Sequence, residues 1–379
     1  MIEWIKQNYI PIIMIVVIFM VISLYVLTAN NRYDGNYNSI KNQQWHKISP
    51  EFGSVISNSN SMFNKRYGLK DYYILASYNS CIGGYLKNDF VDKRPLTEVI
   101  KKGARFLDFE IWNVDNEAVV AAGIENSETT FKGTFNHLPF NDVMSHVNRL
   151  AFNGSMSPNS EDPLFLLFRM KTKNTNIYNS MTKTIKTVFK ERLLSPKYGH
   201  GGKYVDEKHK LNNTPLSKLH RKVIILCIDE NTENLKNSEF IELVNYCNIP
   251  GNGFINAIKF KTVKLDSDNL KDDNKRQMCI VLPNTTTDDI TIKNEGYTLS
   301  QERGCQIVSM HYGGRGSSKS NGELEKSLKY HNNRGSAFVL KPPHLREEDA
   351  IELDTPKKQD PRLNMAEKPV VTPMYKAPL

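Results

Sequence analysis

The chain has 379 residues, 39% of them hydrophobic and 24% charged, enough for one large domain or two ordinary ones. Its 50 Lys and Arg against 41 Asp and Glu leave a net charge of +9. The basic residues are scattered in pairs such as Lys101-Lys102 and Arg221-Lys222, which excludes a dedicated nucleic-acid surface and leaves mild attraction to an anionic lipid surface.

From the start, residues 1–8 read as a short flank. Tyr9 to Leu27, "YIPIIMIVVIFMVISLYVL", is 19 residues without a charge. At a helical rise of ~1.5 Å per residue it spans roughly 28 Å, close to a bilayer core. Residues 9–28 therefore read as a single-pass transmembrane anchor, with Tyr9 and Tyr25 near the interfaces. Leu27-Thr28-Ala29 is a poor cleavage site for a signal peptide. Lys6 precedes the span while Arg32, Lys41 and Lys47 follow it, which weakly places the C-terminal bulk on the cytoplasmic side. Residues 29–67, rich in Asn and Ser, read as a flexible tether.

From residue 68 the pattern changes to apolar strands alternating with amphipathic segments. Strands are expected at Tyr72–Ala76, Ala104–Ile111, Val119–Ala122, Leu164–Met170, Val223–Ile228, Gln306–Met310 and Ala337–Leu340. Helices are expected at Leu96–Lys102, Phe140–Ala151, Ile177–Leu194 and Glu239–Cys247. Such alternation predicts an α/β fold with a mostly parallel sheet, and about 280 residues without an internal linker suit a TIM-type (β/α)8 barrel over residues 68–346. Residues 347–379 hold five prolines and many charges; they read as a disordered tail and a candidate protein-binding segment. Cys81, Cys227, Cys247, Cys279 and Cys305 show neither a zinc nor a disulfide spacing and read as reduced core thiols.

Six stretches carry a resemblance. "YYILASYNSC", "IKKGARFLDFEIW" and "PLFLLFRMK" are similar to the X half, and "NKRQMCIVLP", "GCQIVSMHY" and "GSAFVLKPPHLR" to the Y half, of the catalytic barrel of eukaryotic phosphoinositide-specific phospholipase C. The X half would cover 68–229 and the Y half 239–346. The resemblance implies a phosphodiesterase with two catalytic histidines, a calcium ion held by Asn, Asp and Glu, and a basic headgroup site. Placed residue by residue, the histidines fall on Tyr78 and Ala122. The calcium ligands fall on Asn79, Asp108, Glu110 and Arg169. The headgroup lysines fall on Leu226 and Ile228, and the headgroup arginine and tyrosine on Ile280 and Leu282.

Asp108 and Glu110 are two apart and share a strand face, as do Arg169 and Lys171. A guanidinium among Asn79, Asp108 and Glu110 would repel calcium and pair both carboxylates. The expectation is a catalytically inactive barrel with no metal, acting as a binding or structural module. The alternative is a metal-independent phosphodiesterase using Arg169 and the one histidine near the catalytic end, His311. Asn- and Lys-rich usage resembles that of large DNA viruses of protists, so a virion membrane enters as an expectation by compositional analogy.

Overall fold

A computed structural model describes residues 2–42, 48–57, 66–125, 130–200, 211–230, 232–251, 253–265, 269–285, 291–313 and 318–347. Strands β1 (Tyr72–Ile74) and β2 (Ala76–Ser77) follow one another directly. β3 (Phe106–Val114), β4 (Glu117–Ala121), β5 (Gly123–Glu125), β6 (Thr130–Lys132) and β7 (Leu138–Pro139) come next. Then follow β8 (Leu164–Met170), β9 (Val223–Ile228), β10 (Tyr246–Cys247), β11 (Ile255–Lys259), β12 (Met278–Leu282), β13 (Ile307–Val308) and β14 (Phe338–Leu340).

One sheet runs β11-β12-β13-β1-β14 and a second β10-β9-β8-β3-β4-β7, with β2 paired to β3, while β5 and β6 form a separate two-stranded sheet. The chain at residues 72–77 thus belongs to both larger sheets. Most pairings are parallel; β3–β4, β4–β7, β1–β14 and β5–β6 are antiparallel. Two single bridges lie where the sheets approach, Ser77 to Met310 and Cys247 to Phe254.

The sequence explains the layering. β8, "LFLLFRM", is buried at every position, and β9 and β12 are nearly as apolar. Strands covered on both faces read as continuous apolar runs. The covering helices bury stripes at three- and four-residue spacing: Leu96, Val99 and Ile100 in the Lys93–Lys101 helix, and Val143, Met144, Val147 and Leu150 in Phe140–Ala151. Ile177, Met181 and Ile185 do the same in Thr175–Phe189. Each fully buried large side chain of this kind contributes roughly 1.5–3 kcal/mol. Asp92 and Asn174 cap the first and third of these helices by accepting the N–H of Arg94 and Asn176. All five cysteines are buried and unbridged.

Several expectations are corrected. The region read as a tether is structured where it is described. The N-terminal helix runs from Ile2 to Lys41, with a non-helical break at Asn8, and its second half packs on the domain: Asn36 and Ile40 are buried there. Asn36 and Ile40, with Tyr33 and Tyr37, lie three and four apart, so they share a helix face. Further on, Phe52 is buried, its ring against Gly103, and Gly53 bridges Ser336. Asp162, itself buried, accepts from Ser54 Oγ at 2.6 Å and from the N–H groups of Val55 and Ile56 at 3.2 and 3.1 Å. Glu239–Cys247 is no helix but a short 3-10 turn, Glu239–Glu242, followed by β10. Its six apolar residues supply strand pairing and core contacts instead. The segment between the expected halves carries a helix, Thr232–Lys236. β11, β12 and the helices Phe260–Leu265, Asn269–Arg276, Tyr297–Glu302 and Ser318–Asn332 stand beyond the elements expected from the sequence. Of the expected tail, Glu347 pairs with Lys70, and 348–379 lie outside the described residues.

The stretch Asn8–Lys41 of the N-terminal helix is long and apolar enough over part of its length to cross a membrane, by length and composition.

Asp162→Ala removes a buried acceptor from three donors. Limited proteolysis should then cut within residues 48–57 several times faster. Denaturant titration should show a loss on the order of 2–4 kcal/mol. Unchanged cleavage would show that the segment is held by something else.

Candidate functional site

Arg169 stands alone as a charge in the apolar run of β8. In the parallel ladder it is the register partner of Glu110 on β3 on one side and Ile228 on β9 on the other. Asp108 lies two residues before Glu110 and shares its face. Two adjacent strands, β3 and β8, thus bring one guanidinium and two carboxylates to the same layer.

Asn79 completes the group. It follows β2 with φ of 44°, a left-handed conformation that Asn tolerates better than most residues. Its N–H donates to Asp108 Oδ2 at 3.0 Å and its Nδ2 to Glu110 Oε1 at 3.2 Å. Arg169 donates through Nε to Asp108 Oδ1 at 2.8 Å and through Nη1 to Glu110 Oε1 at 3.0 Å. Its Nη2 reaches both Asn79 Oδ1 at 2.8 Å and Asp108 Oδ2 at 3.0 Å. Gly123 N–H donates to Glu110 Oε2 at 2.9 Å. Every carboxylate oxygen of Asp108 and Glu110, and the amide oxygen of Asn79, therefore has a donor.

The cluster is sealed. Asn79, Asp108, Glu110 and Arg169 expose 2%, 0%, 3% and 6% of their surface. Burial pulls the Arg169 pKa down, but Asp108, Tyr78 and Glu110 outweigh it, and the guanidinium is held well above its ordinary range. An unpaired buried charge would cost several kcal/mol, so the group is stable only as a set.

The Tyr78 ring lies against the guanidinium, 4.5 Å from centroid to Cζ. Burial, opposed by Arg169, pushes its phenol well above the ordinary value. Ala122 is fully buried, and its carbonyl accepts from Gly133 and Thr134. Leu226 shares the Arg169 face by register, as does Ile228. Ile280 pairs with Ile307 and Leu282 with Lys259 in the other sheet. All four are apolar, and all but Ile228 are fully buried. Lys171 sits just past β8, half-buried, its N–H bonded to Ile111 O. His311 is buried; its Nε2 meets Gly84 O at 3.2 Å and its N–H bonds Asn294 Oδ1 at 2.7 Å. Burial lowers its pKa to about 4.

Residues beyond the expected set shape the site. Ser80 Oγ accepts the Asp108 N–H at 3.0 Å and donates to Ser77 Oγ. A loop closed by the Ile82–Val91 bridge follows. Its Asp89 accepts from Tyr85 N–H, Phe90 N–H and Asn36 Nδ2 of the N-terminal helix. A Cβ on Gly84 would meet Asp89 and Asn36 at 2.2 and 2.5 Å, so only glycine fits between helix and loop. The Gly83-Gly84 pair was the one sequence signal for this close approach.

The geometry can be set beside known proteins. Residues 66–227 match the model of the phosphatidylinositol-specific phospholipase C X domain. Among solved structures, the chain is similar to that of S. officinalis PLC21, with a TM-score of 0.59, 19% identity, 75% of this chain covered and 38% of that one. For L. pealei PLC21 the figures are 0.59, 18%, 79% and 40%. The chain thus spans well under half the length of these structures. No curated protein sequence matches it. At these identities the solved structures show the fold, a phospholipase C-like catalytic-domain arrangement. With the X-domain match they show that this chain resembles phosphoinositide-specific phospholipase C.

Proposed function

We propose that this chain is a membrane-anchored, phospholipase C-like protein whose barrel binds or scaffolds and does not hydrolyse phosphodiesters. The observation that carries this reading is the complete occupation of Asn79, Asp108 and Glu110 by donors, with Arg169 at their centre. The calcium ion that the resemblance implies does not fit: its oxygen ligands are already hydrogen-bonded, and a fixed cation takes the central position.

Phosphodiester cleavage by a neighbouring hydroxyl needs a base and a charge stabiliser that reach the substrate. Tyr78 is buried with its phenol held protonated. Ala122 has no titratable group. Arg169 uses four of the roughly five N–H groups a guanidinium carries on Asn79, Asp108 and Glu110. That counts against the alternative of an arginine-based phosphodiesterase. His311, turned to Gly84, does not rescue it.

Closure of the sheets into one ring is the natural reading of their seams. β1 with β2, β3, β8, β9, β10, β11, β12 and β13 follow one another, joined by the Ser77–Met310 and Cys247–Phe254 bridges. For the helix, Ile10, Ile13, Phe19 and Leu24 are each more than half exposed. A run of that kind belongs in lipid rather than water.

Three outcomes are expected. The purified full chain on phosphatidylinositol vesicles, with or without calcium, gives no turnover above the blank; turnover abolished by Tyr78→Phe would overturn the reading. Arg169→Glu supplies a third carboxylate, and calcium then raises the melting temperature of that variant by several degrees but leaves the parent unmoved. A calcium shift in the parent would show that the site is not filled. Finally, His311 has a folded-state pKa below its unfolded value near 6.5, so the unfolded chain binds more protons between pH 6.5 and about 4. Stability is present above that window and falls as pH drops through it, by on the order of 3 kcal/mol for this residue. His311→Asn should flatten the slope in pH-dependent denaturant titrations.

A further inference from the structure

Four of the five cysteines stand in two pairs, each beside a two-residue strand. Cys227 and Cys247 are register partners of β9 and β10. Cys279 belongs to β12, and Cys305 lies two residues before β13. All four are fully buried. What surrounds the two pairs differs.

By register, Cys227 and Cys247 lie side by side on neighbouring strands, roughly 4.8 Å apart along the backbone. Burial, then Asp229 and the Cys247 thiol, push the Cys227 thiol up. Each of these holds the proton on the sulfur.

The second pair sits at the strand starts, at the opposite end of the sheets from Arg169. β12 and β13 run parallel with Ile280 opposite Ile307. Continued by one residue, that register puts Cys279 opposite Gln306, next to Cys305. Strand spacing and rise then set the two Cα atoms roughly 6 Å apart, within the range of bridged cysteines. The backbone ladder has ended here. Cys279 N–H donates to the side chain of Gln306, at Oε1 and 2.9 Å, and Cys305 N–H to Ser300 O at 3.0 Å. The two thiols share a hydrogen bond. Asn274 Nδ2 donates to Cys305 Sγ at 3.4 Å.

A base stands beside them. Lys341 is 1% exposed and donates from Nζ to Asn274 O at 2.9 Å. Burial pulls its pKa down to about 7, against Asp71, Cys305 and Cys279, which raise it. Lys70, the other cation there, is engaged by Glu347. An amine that is partly unprotonated near neutral pH can take a thiol proton. Arg276 and Gln277, directly before β12, are exposed, so the pair lies close beneath the surface.

We infer that Cys279 and Cys305 form a disulfide site, at which a peroxide links β12 to β13 with Lys341 as the proton acceptor, while Cys227 and Cys247 remain thiols. One sulfur attacks a peroxide oxygen as its proton passes to Lys341. The O–O bond breaks, the sulfur becomes a sulfenic acid, and the departing oxygen takes the proton back from Lys341 and leaves as water. The other sulfur then displaces the sulfenic hydroxyl, which leaves as a second water with that thiol's proton. Two thiols are oxidised and one peroxide is reduced to two waters. The bond would secure β13, which is held between β12 and β1.

The test treats the full chain in detergent micelles with hydrogen peroxide, then denatures, alkylates and digests it with trypsin. The expected result is that peptides 277–293 and 304–315, which carry Cys279 and Cys305, appear joined and separate on reduction. Peptides 223–236 and 237–259, which carry Cys227 and Cys247, should be recovered alkylated. The melting temperature should rise by about 5 °C or more and return with dithiothreitol. Cys279→Ser should abolish both the link and the rise. Lys341→Met should slow linkage severalfold. The comparison of the two pairs in the parent chain needs no variant, so it decides even where Lys341→Met does not fold. Cys279 and Cys305 recovered alkylated after peroxide, or joined no faster than Cys227 and Cys247, would overturn the proposal. Linkage at the parent rate in a folded Lys341→Met would remove Lys341 from it.

Discussion

The guanidinium of Arg169 is the point on which the arrangement of β2, β3 and β8 depends. Two carboxylates two residues apart on a buried strand repel one another and have lost their water. Each would cost several kcal/mol if left alone, and removing one partner of such a set typically costs about 3–5 kcal/mol. Arg169 answers both carboxylates and draws in Asn79 from the turn after β2. The set also selects the register. A one-residue slip of β8 against β3 would turn Arg169 into the layer occupied by Phe168 and leave both carboxylates unpaired. Surface pairs such as Lys326–Glu323 do no comparable work, since exposed pairs contribute about 0–1 kcal/mol.

From that cluster a chain of polar contacts runs outward to the N-terminal helix. Glu110 holds the backbone of Gly123, and Ser80 links Asp108 to Ser77. The loop from Ile82 to Val91 folds over this end, its conformation set by Asp89, which takes donors from three sides. One of those donors is Asn36. The position of the helix and the closure of the loop over the site are therefore parts of one hydrogen-bonded structure. This is why the residues after the apolar run are ordered, and why glycine is needed at position 84.

Much of this was legible in the sequence. The all-apolar runs of β8 and β9, and the three- and four-residue spacing of the Phe140–Ala151 helix, carried their structure in plain periodicity. Asp108, Glu110, Asn79 and Arg169 were expected together, and they meet. The docked helix was missed because polarity dominates Thr28 to Lys41. Only Tyr33, Asn36, Tyr37 and Ile40 form a stripe, and three of those are not aliphatic. Residues 48–57 were missed for a related reason: they are held by Asp162, more than a hundred residues away, and no local pattern records a distant acceptor. Glu239–Cys247 misled because its apolar spacing fits a helix, while Tyr246 and Cys247 are claimed by pairing with β9. The contacts of Gly123 and Ser80 run through backbone groups or a small hydroxyl, which leave no compositional trace.

A metal ion and a guanidinium solve the same electrostatic problem for buried carboxylates, but they differ in what remains afterwards. A calcium ion takes six to eight oxygen ligands, so a site with four protein ligands leaves positions open to substrate and water. Its field acts in every direction. A guanidinium is planar, and its attraction is spent along a few N–H directions. Here four of those directions end on protein oxygens within the strands themselves. Being covalently attached, the cation is also present at any calcium concentration. On the proposed reading, the exchange secures the pairing of β3 with β8 at any calcium concentration and leaves no open coordination position through which a substrate oxygen would be polarised. Stability of the fold at this site and loss of the metal-dependent chemistry are, on this reading, two consequences of one substitution.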